Sequence, residues 1–455
     1  MPNPFRHYEG VPLLDLPADP LSPGFPTLRI LAGEPPAATQ PSTDGAAFLS
    51  QLFFYSAAIS AAKRVPATGA KYALRVNPSS GNLHPTEFHF VTQGLADWPD
   101  GLYHYRSSSH MAEQRATGRI LPPEQQAPVT FLLSTIAWRE AWKYRERAYR
   151  YCLLDIGHAW QALDLSAAAL GCSTTAMGQF DDDEVAKQWG LAPDEWPMLL
   201  IEIAAGAVPL HRSSTADTWY GGEPNRLSLD PIAYPLIEDI HEATKRLRVA
   251  AGHSLIVEPS AKVDPSLASR PLGETVRARR SALDFRGGTM SFDELMAILR
   301  CSIGQRFASD FSADPNMSVF AYIHDVRDLD AGAYRYSPPG GGGLERIMSG
   351  KQRAAAAGLS LGQDLAGNAC AAFSIVANLE RFCETWGDRG YRYAHFEAGA
   401  IGHRMYLAAE ALGLRATGIG AFFDEKVHQY LGIRDGYVVY HFAIGHAVAD
   451  DRLDA

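Results

Sequence analysis

The sequence predicts an α+β fold in which a central mixed sheet is flanked by helices, and it predicts this domain twice along the chain. Apolar segments of strand length alternate with a long stretch of helical periodicity over residues 147–170. The same short motifs then return at a fixed spacing in the second half. A composition of 46% hydrophobic and 20% charged residues is typical of a folded globular protein, so 455 residues suffice for two sizeable cores.

Charge and composition exclude several classes of function. With 41 basic and 51 acidic residues, the formal net charge of −10 opposes binding of nucleic acid or anionic membrane over the whole surface. The chain shows no basic segment leading into an apolar one and no run of about 18 apolar residues, so a cytoplasmic location is the default expectation. The cysteines are odd in number and lack a C-x-x-C pair, which predicts reduced, mostly buried thiols: Cys152, Cys172, Cys301, Cys370 and Cys383.

An internal duplication organises the chain. The segment 147–151 matches 389–393, which is 242 residues further on (389 minus 147), and three later blocks keep this offset without a gap. An upstream block, 101–105, matches 332–336 at an offset of 231, so the loops between the blocks differ in length. A period above 200 residues is too long for a solenoid repeat, so each copy is predicted to be a whole domain.

The duplication predicts three parts. Residues 1–45 are rich in Pro and Gly and are predicted to be an extended arm wrapped over a domain. Copy one is placed at 46–245 and copy two at 246–455. The predicted strands are Phe88–Thr92, Gly101–Tyr105, Val129–Ser134 and Met198–Ile203, the last of them echoed by Val438–Ala443.

A polar loop, Asn77–Glu87, stands between a predicted helical stretch and a strand. Its Pro78, Ser79, Ser80, Gly81 and Asn82 combine hydroxyls, an amide and accessible backbone N–H groups, which suit a planar polar ligand. Taken on its own, the loop favours an ordinary Pro-Ser-Ser-Gly turn over a ligand site.

A basic cluster precedes the predicted helix of copy two, where Ser291 and Glu294 form a capping box. In this cluster Arg279 and Arg280 are followed by Ser281, and guanidinium groups are suited to bidentate phosphate contacts. Taken on its own, the cluster favours a solvated basic turn.

The segment 138–147 interleaves basic and aromatic residues. Its Glu residues and the acidic chain argue against a platform for single-stranded nucleic acid. A helix edge that faces a cavity is preferred, in which Lys143 and Tyr144 move protons, although an amphipathic surface stretch remains open. No metal site is predicted, because the acidic run 181–184 stands where a helix should begin, and Gly340–Gly343 is interpreted as a hairpin tip.

Taken together, these motifs resemble the nitroreductase superfamily of flavin enzymes, and specifically its SagB-type branch, which includes azoline dehydrogenases. That family has an Arg-Arg-Ser start, a Pro-Ser-x-Gly-Asn loop, a Lys-Tyr pair and a late Gly-x-Gly-x-Phe turn. Here the set is split, because the loop and the Lys-Tyr pair stand in copy one while the Arg-Arg-Ser and the Gly turn stand in copy two. In copy two the loop position falls at about 310–314, and Thr385 and Trp386 replace the Lys-Tyr pair.

The resemblance implies two nitroreductase-like domains fused into an intramolecular pseudo-dimer with flavin mononucleotide (FMN) at the interface. One of the two equivalent sites receives all the motifs and the other is degenerate, which predicts one FMN per chain. Lys143 and Tyr144 would handle the substrate proton. The FMN-binding residues implied are Pro78, Ser79, Ser80, Asn82, Arg279, Arg280, Ser281, Gly418, Ile419 and Gly420.

The function implied is a SagB-type FMN-dependent dehydrogenase that oxidises a modified peptide or a small natural-product intermediate by hydride transfer to flavin. Two alternatives stay open: an NAD(P)H-dependent nitro- or quinone reductase, and a non-catalytic scaffold subunit of a biosynthetic complex. The sequence names neither the substrate nor the electron partner, and it leaves further self-association of the fused chain undecided.

Overall fold

The structure is a computed structural model. It describes residues 1–34, 44–65, 69–122, 124–204, 208–210, 216–247, 267, 269–305, 307–311, 316–338 and 343–453.

The first half of the chain contains two small hairpins and one large sheet, with helices packed against that sheet. Its strands are β1 Tyr8–Glu9, β2 Leu13–Asp15, β3 Ile59–Arg64, β4 Lys71–Arg75, β5 Thr86–Thr92, β6 Gly101–Arg106, β7 Met111–Thr117, β8 Val129–Thr135, β9 Thr174–Met177, β10 Trp196–Ile203, β11 Thr218–Trp219 and β12 Glu223–Pro224. Its helices are α1 Thr27–Leu31, α2 Gly45–Phe54, α3 Ala137–Tyr144, α4 Ala148–Ala169, α5 Asp182–Gln188 and α6 Pro235–Lys245.

The second half repeats the large sheet and its long helix. Its strands are β13 Met317–Ile323, β14 Gly332–Ser337, β15 Gly343–Ser349, β16 Ala371–Ala377, β17 Arg415–Ile419 and β18 Tyr437–Gly445. Its helices are α7 Leu272–Ala278, α8 Phe292–Ser302, α9 Arg353–Leu359, α10 Asp364–Asn368, α11 Leu379–Trp386, α12 Gly390–Ala411 and α13 Asp424–Leu431.

The two large sheets have the same strand order. In copy one it runs β7-β6-β5-β8-β10-β9, and in copy two β15-β14-β13-β16-β18-β17. Neighbouring strands in both are antiparallel, while single parallel bridges join Ala176 to Ser309 at the β9 edge and Ser281 to Ala416 at the β17 edge. The predicted α+β class with two copies of one domain is confirmed.

The long helices α4 and α12 pack against each other at the centre of the molecule, and both are almost completely buried. Small residues recur along both, which lets the two helices approach closely. One large apolar cluster runs through both copies and includes Ile156 of α4 and Phe396 of α12. The two domains therefore share a core, as the predicted pseudo-dimer requires.

The predicted elements are present with shifts of a few residues at their ends. The helix predicted over 147–170 is α4, and Ser291 with Glu294 forms the predicted capping box of α8. Asp181 caps α5 by accepting hydrogen bonds from the amides of Asp183 and Glu184, as expected for a helix start. The cysteines are free thiols, four of them buried.

One element prediction is wrong. The stretch before the Asn77–Glu87 loop is a β-hairpin of β3 and β4, where a helix was expected. Copy two holds this hairpin in place, because Arg277 donates to the Ile59 carbonyl at 2.9 Å and Arg280 to the Ser60 carbonyl at 3.1 Å. Tertiary contacts of this kind override local preference.

The first part of the N-terminal arm is extended and pairs with copy one through β1–β12 and β2–β7. Further along, the arm was expected to stay extended, but it forms α1, where Thr27 bonds to the Arg270 carbonyl of copy two. The division of the chain at residue 245 stays a prediction, and residues 248–266 lie outside the described part. Gly340–Gly342 of the predicted hairpin tip also lie outside it.

Candidate active site

A cavity of about 1130 Å³ lies between the two copies. It is lined by the β3–β4 hairpin, the loop after β4 and the helices α3 and α4 from copy one, and by the segments after α7 and β17 from copy two. All twelve predicted site residues lie on its wall: Pro78, Ser79, Ser80, Asn82, Lys143, Tyr144, Arg279, Arg280, Ser281, Gly418, Ile419 and Gly420.

Arg279 is a buried cation with one unused donor. Its Nε donates to the Val76 carbonyl at 3.0 Å and its Nη2 to the Arg75 carbonyl at 3.2 Å. Its Nη1 is buried and has no hydrogen-bond partner among the described residues. Leaving such a group unpaired is costly, so the position favours an anionic ligand.

Arg280 adds a second cation at the same wall. Its Nη2 reaches the Ser60 carbonyl at 3.1 Å, and its Nε is buried without a partner among the described residues. Burial and the neighbouring Arg279, Arg415 and Arg277 lower the pKa of Arg280 to about 10. An incoming anion would relieve this crowding of like charges.

Ser281 is linked to the late glycine turn through a tyrosine. Its Oγ lies 2.8 Å from Tyr406 Oη, which accepts a hydrogen bond from the Gly418 amide at 2.7 Å. A Cβ at Gly418 would collide with the hydroxyl of Tyr440, and one at Gly420 would collide with the ring of Tyr151. The turn therefore requires glycine at both positions.

The polar loop of copy one holds its own shape. Gly81 and Asn82 adopt positive φ angles of 58° and 59°. Asn82 Nδ2 donates to the Ala73 carbonyl at 2.9 Å, its Oδ1 lies 3.0 Å from His84 Nε2, and Ser79 Oγ accepts from the His84 amide at 2.8 Å. The side chain of Asn82 is thus engaged by the protein, which assigns it to shaping the loop.

Lys143 and Tyr144 meet directly above Gly81. A Cβ at Gly81 would stand 2.6 Å from Tyr144 Oη and 3.1 Å from Lys143 Nζ. Burial, with the nearby carboxyls of Glu140 and Asp155, raises the pKa of Tyr144. Tyr144 therefore stays protonated at neutral pH and can donate a hydrogen bond, while the Lys143 ammonium is exposed.

Asp155 is a cavity residue that sequence reasoning did not select. It lies in α4, and its carboxylate accepts hydrogen bonds from the amide and the hydroxyl of Ser80, each at 3.2 Å. Burial raises its pKa to about 7. The signal in the sequence that could have pointed to Asp155 was a carboxyl flanked by Leu154 and Ile156 in a helix of apolar residues.

The equivalent position on the other side of the pseudo-dimer is filled by protein. Asp310 accepts hydrogen bonds from the amides of Gly178 at 2.7 Å and Gln179 at 3.2 Å, in the turn that corresponds to Gly420 and Ala421. Phe311 stacks on Tyr393, with ring centroids 4.3 Å apart. Residues 312–314 of the predicted loop position lie outside the described residues.

The described residues contain no group of three or more His, Cys, Asp or Glu side chains that could hold a metal ion. None of the helices that the structure describes has both the length and the apolar character of a membrane span.

Fold and site together define a protein built from two copies of one α+β domain, with an arginine-lined cavity to which each copy contributes different residues. The family model for the nitroreductase family matches residues 56–205 and 276–446, more than half of the chain. The chain therefore belongs to the nitroreductase family and is an oxidoreductase of that family.

Two relatives illustrate the match. A crystal structure from Anabaena variabilis, of a protein described as a nitroreductase, is 26% identical and superposes with a TM-score of 0.79, covering 98% of this chain and 94% of that one. A protein of Methanocaldococcus jannaschii named as a nitroreductase, MJ1384, is 28% identical over 177 residues, which is 38% of this chain and 89% of the relative. The Anabaena structure thus matches both copies.

Proposed function

We propose that the chain is an FMN-dependent oxidoreductase with one FMN in the cavity between its copies. The observation that carries this proposal is the pair of Arg279, which is buried, and Arg280, which is half-buried. Each has an unpartnered nitrogen, and both line the same cavity as the polar loop of the other copy. Phosphate is the anion that two guanidinium groups suit best, and the polar loop suits a planar heterocycle.

The residues present fit FMN. Arg279 and Arg280 would hold the phosphate. Ser79, Ser80 and the backbone of the Gly418–Gly420 turn would contact the polar edges of the ring system, and Tyr151 and Tyr440 keep that turn free of side chains. When bound, FMN supplies an acceptor for a hydride.

The proposed site is single because the second position lacks these features. Asp310 already takes the amides of Gly178 and Gln179 there, so these amides are not available to the polar edge of a flavin ring. Phe311 and Tyr393 occupy the space with stacked rings. The family's paired sites are thereby reduced to one in this chain.

The substrate proposed is a modified peptide or a small natural-product intermediate, oxidised as by SagB-type dehydrogenases. Support comes from Lys143 and Tyr144, which converge on the loop of the proposed flavin site as that resemblance implies. Tyr144 would orient the proton-bearing atom of the substrate by a hydrogen bond. Lys143, at the exposed end of α3, would hand the proton on to solvent at its Nζ.

Comparing FMN with riboflavin tests the phosphate part of this proposal. Quenching of flavin fluorescence on binding to the apoprotein gives a dissociation constant for each compound. The dissociation constant of FMN should be roughly a hundredfold lower than that of riboflavin, because riboflavin lacks the phosphate and loses one or two charge-assisted contacts. Equal affinities would contradict the role of the arginines.

Addition of NADPH to the FMN-loaded protein without oxygen separates the dehydrogenase from the reductase, because bleaching of the flavin would favour the NAD(P)H-dependent reductase.

A further inference from the structure

Two carboxyl groups, those of Glu140 and Asp155, lie behind the polar loop. Glu140 of α3 is completely buried, and both of its carboxyl oxygens have no hydrogen-bond partner in the described part of the chain. Asp155 of α4 lines the cavity and lies close enough for its charge to act on Glu140. Each carboxyl raises the cost of ionising the other, because like charges in a buried site repel.

The duplication shows that the fold does not need a carboxyl at position 140. Counting 242 residues on, copy two has Phe382, which is also buried. A phenylalanine fills such a place without the desolvation cost of an unpaired carboxyl. Copy one keeps the costly group on the side of the molecule where the cavity lies.

The groups that face this pair are suited to passing a proton. Burial raises the pKa of Tyr144, and the charges of Glu140 and Asp155 raise it further, so its hydroxyl stays protonated. Lys143 is the cation that acts on Glu140, from the exposed end of α3. The titratable groups packed against the pair are Lys143, Tyr144, Tyr151, Cys152 and Tyr440.

We propose that Asp155, with Glu140 behind it, is the acceptor of the proton that the substrate loses in this cavity. This inference rests on the proposed function. In the step, an N–H or O–H bond of the substrate breaks while an O–H bond forms on the Asp155 carboxylate, with Tyr144 as the bridging hydroxyl. The electron pair of that N–H or O–H bond becomes the new double bond as a C–H bond of the substrate breaks. FMN, when bound, would supply the acceptor for the hydride, and Asp155 then releases the proton to solvent.

Asp155 is better suited to this task than its neighbours. A general base works best when its pKa lies near the operating pH. The pKa of Asp155 is raised to about 7 by burial, while that of Tyr144 is raised far from neutrality. Glu140 keeps its own proton, since burial and the Asp155 charge raise its pKa.

Infrared titration of the protein, without flavin or substrate, tests the pair. The carbonyl stretch of a protonated carboxylic acid is distinct from carboxylate bands. Wild type should show a band that persists at pH 8 and a second that is lost as the pH rises through about 7. Asp155→Asn should lack the titrating band and Glu140→Gln the persistent one. A wild-type spectrum with no protonated carboxyl at pH 6 would overturn the inference.

Glu397→Gln is the matched control. Glu397 is the buried residue of copy two at the position equivalent to Asp155, and it does not line the cavity. This variant should keep the titrating band. If Glu397→Gln lost the band and Asp155→Asn kept it, the titrating carboxyl would be Glu397 of copy two, and the inference would be overturned.

A second measurement links the pair to the flavin site. The midpoint potential of FMN-loaded protein, measured against pH with mediator dyes, should change slope near pH 7 in wild type and Glu397→Gln and not in Asp155→Asn. An identical slope in wild type and Asp155→Asn would overturn the proton role while leaving FMN binding intact. Failure of wild type to bind FMN would instead reject the proposed function, and the infrared titration would still report on the pair.

Discussion

Gly157 of α4 and Gly399 of α12 stand against each other at the crossing of the two central helices. A Cβ on Gly157 would collide with the carbonyl oxygen of Phe396, and one on Gly399 would collide with that of Leu154. These four residues are related in pairs by the same 242-residue offset, so the contact is symmetric. The close approach fixes how the copies meet and thus where the cavity forms.

Gly157→Ala should destabilise the protein by roughly 1 to 3 kcal/mol or more, because overpacking forces the two helices apart. Urea denaturation measures the effect. Gly358→Ala is the matched control, since Gly358 lies in α9 with open space around its Cβ position. That control should gain about 0.5 to 1 kcal/mol from its better helix propensity. Equal effects of the two substitutions would disprove the close crossing.

Arg280→Ala should weaken FMN binding about ten- to a hundredfold, the loss of one charge-assisted contact. Fluorescence titration of apoprotein with FMN gives the dissociation constant. Arg346→Ala, an exposed arginine on β15, should leave it unchanged. Retention of wild-type affinity in Arg280→Ala would remove that residue from the site.

Two clusters of ion pairs join the copies, and one cluster is more deeply buried than the other. Asp182 of copy one receives Arg389 and Arg392, each at 2.7 Å and all fully buried. Asp424 of copy two receives Arg147 and Arg150, with about a third of each side chain exposed.

Asp182→Asn should therefore cost roughly 3 to 5 kcal/mol, because it leaves two arginines buried without a counter-charge. Asp424→Asn should cost about 1 kcal/mol or less, since solvent screens the exposed pairs. Chemical denaturation of both variants checks the ranking, and a larger loss in Asp424→Asn would contradict it.

Phe311→Ala should lower stability by roughly 3 to 5 kcal/mol, the usual cost of emptying a buried phenylalanine site. Its FMN affinity should stay within about twofold of wild type, because Phe311 packs at the filled position and not on the cavity. Denaturation and flavin titration on the same preparation measure both quantities. A large drop in FMN affinity would show that the two positions are not independent.

The raised pKa of Asp155 makes stability depend on pH. Between about pH 4 and pH 7 the folded state binds a proton that the unfolded state has released, so stability falls as the pH rises through this window and levels off above it. Asp155→Asn removes that proton. The free energy of unfolding of Asp155→Asn, measured relative to wild type, should therefore be roughly 2 to 3 kcal/mol higher at pH 8 than at pH 5. Urea denaturation at both pH values measures this. If the Asp155 carboxyl ionises at its ordinary pKa, the difference between variant and wild type will be the same at both.

The site was predictable from sequence because the resemblance to the nitroreductase superfamily supplied the set of motifs and the duplication showed which of them are missing from each copy. Residues as far apart as Ser80 and Arg279 could be placed on one cavity by asking which copy retained each motif. What the spacing could not supply was the tertiary environment. The hairpin β3–β4 is a strand pair because arginines of copy two hold its backbone.

Side-chain roles depended on the same missing information. Asn82 was expected to contact a ligand, yet its amide is engaged by Ala73 and His84. Asp155 was not selected from the sequence. Its burial and its bonds to Ser80 emerge once α4 and the loop are in place.

The number of flavins bound per chain tests the central claim most directly. Apoprotein titrated with FMN in a calorimeter, with the protein concentration fixed by amino-acid analysis, should give one FMN per chain. Binding of two FMN molecules per chain, or of none, would contradict a single site formed between unequal copies.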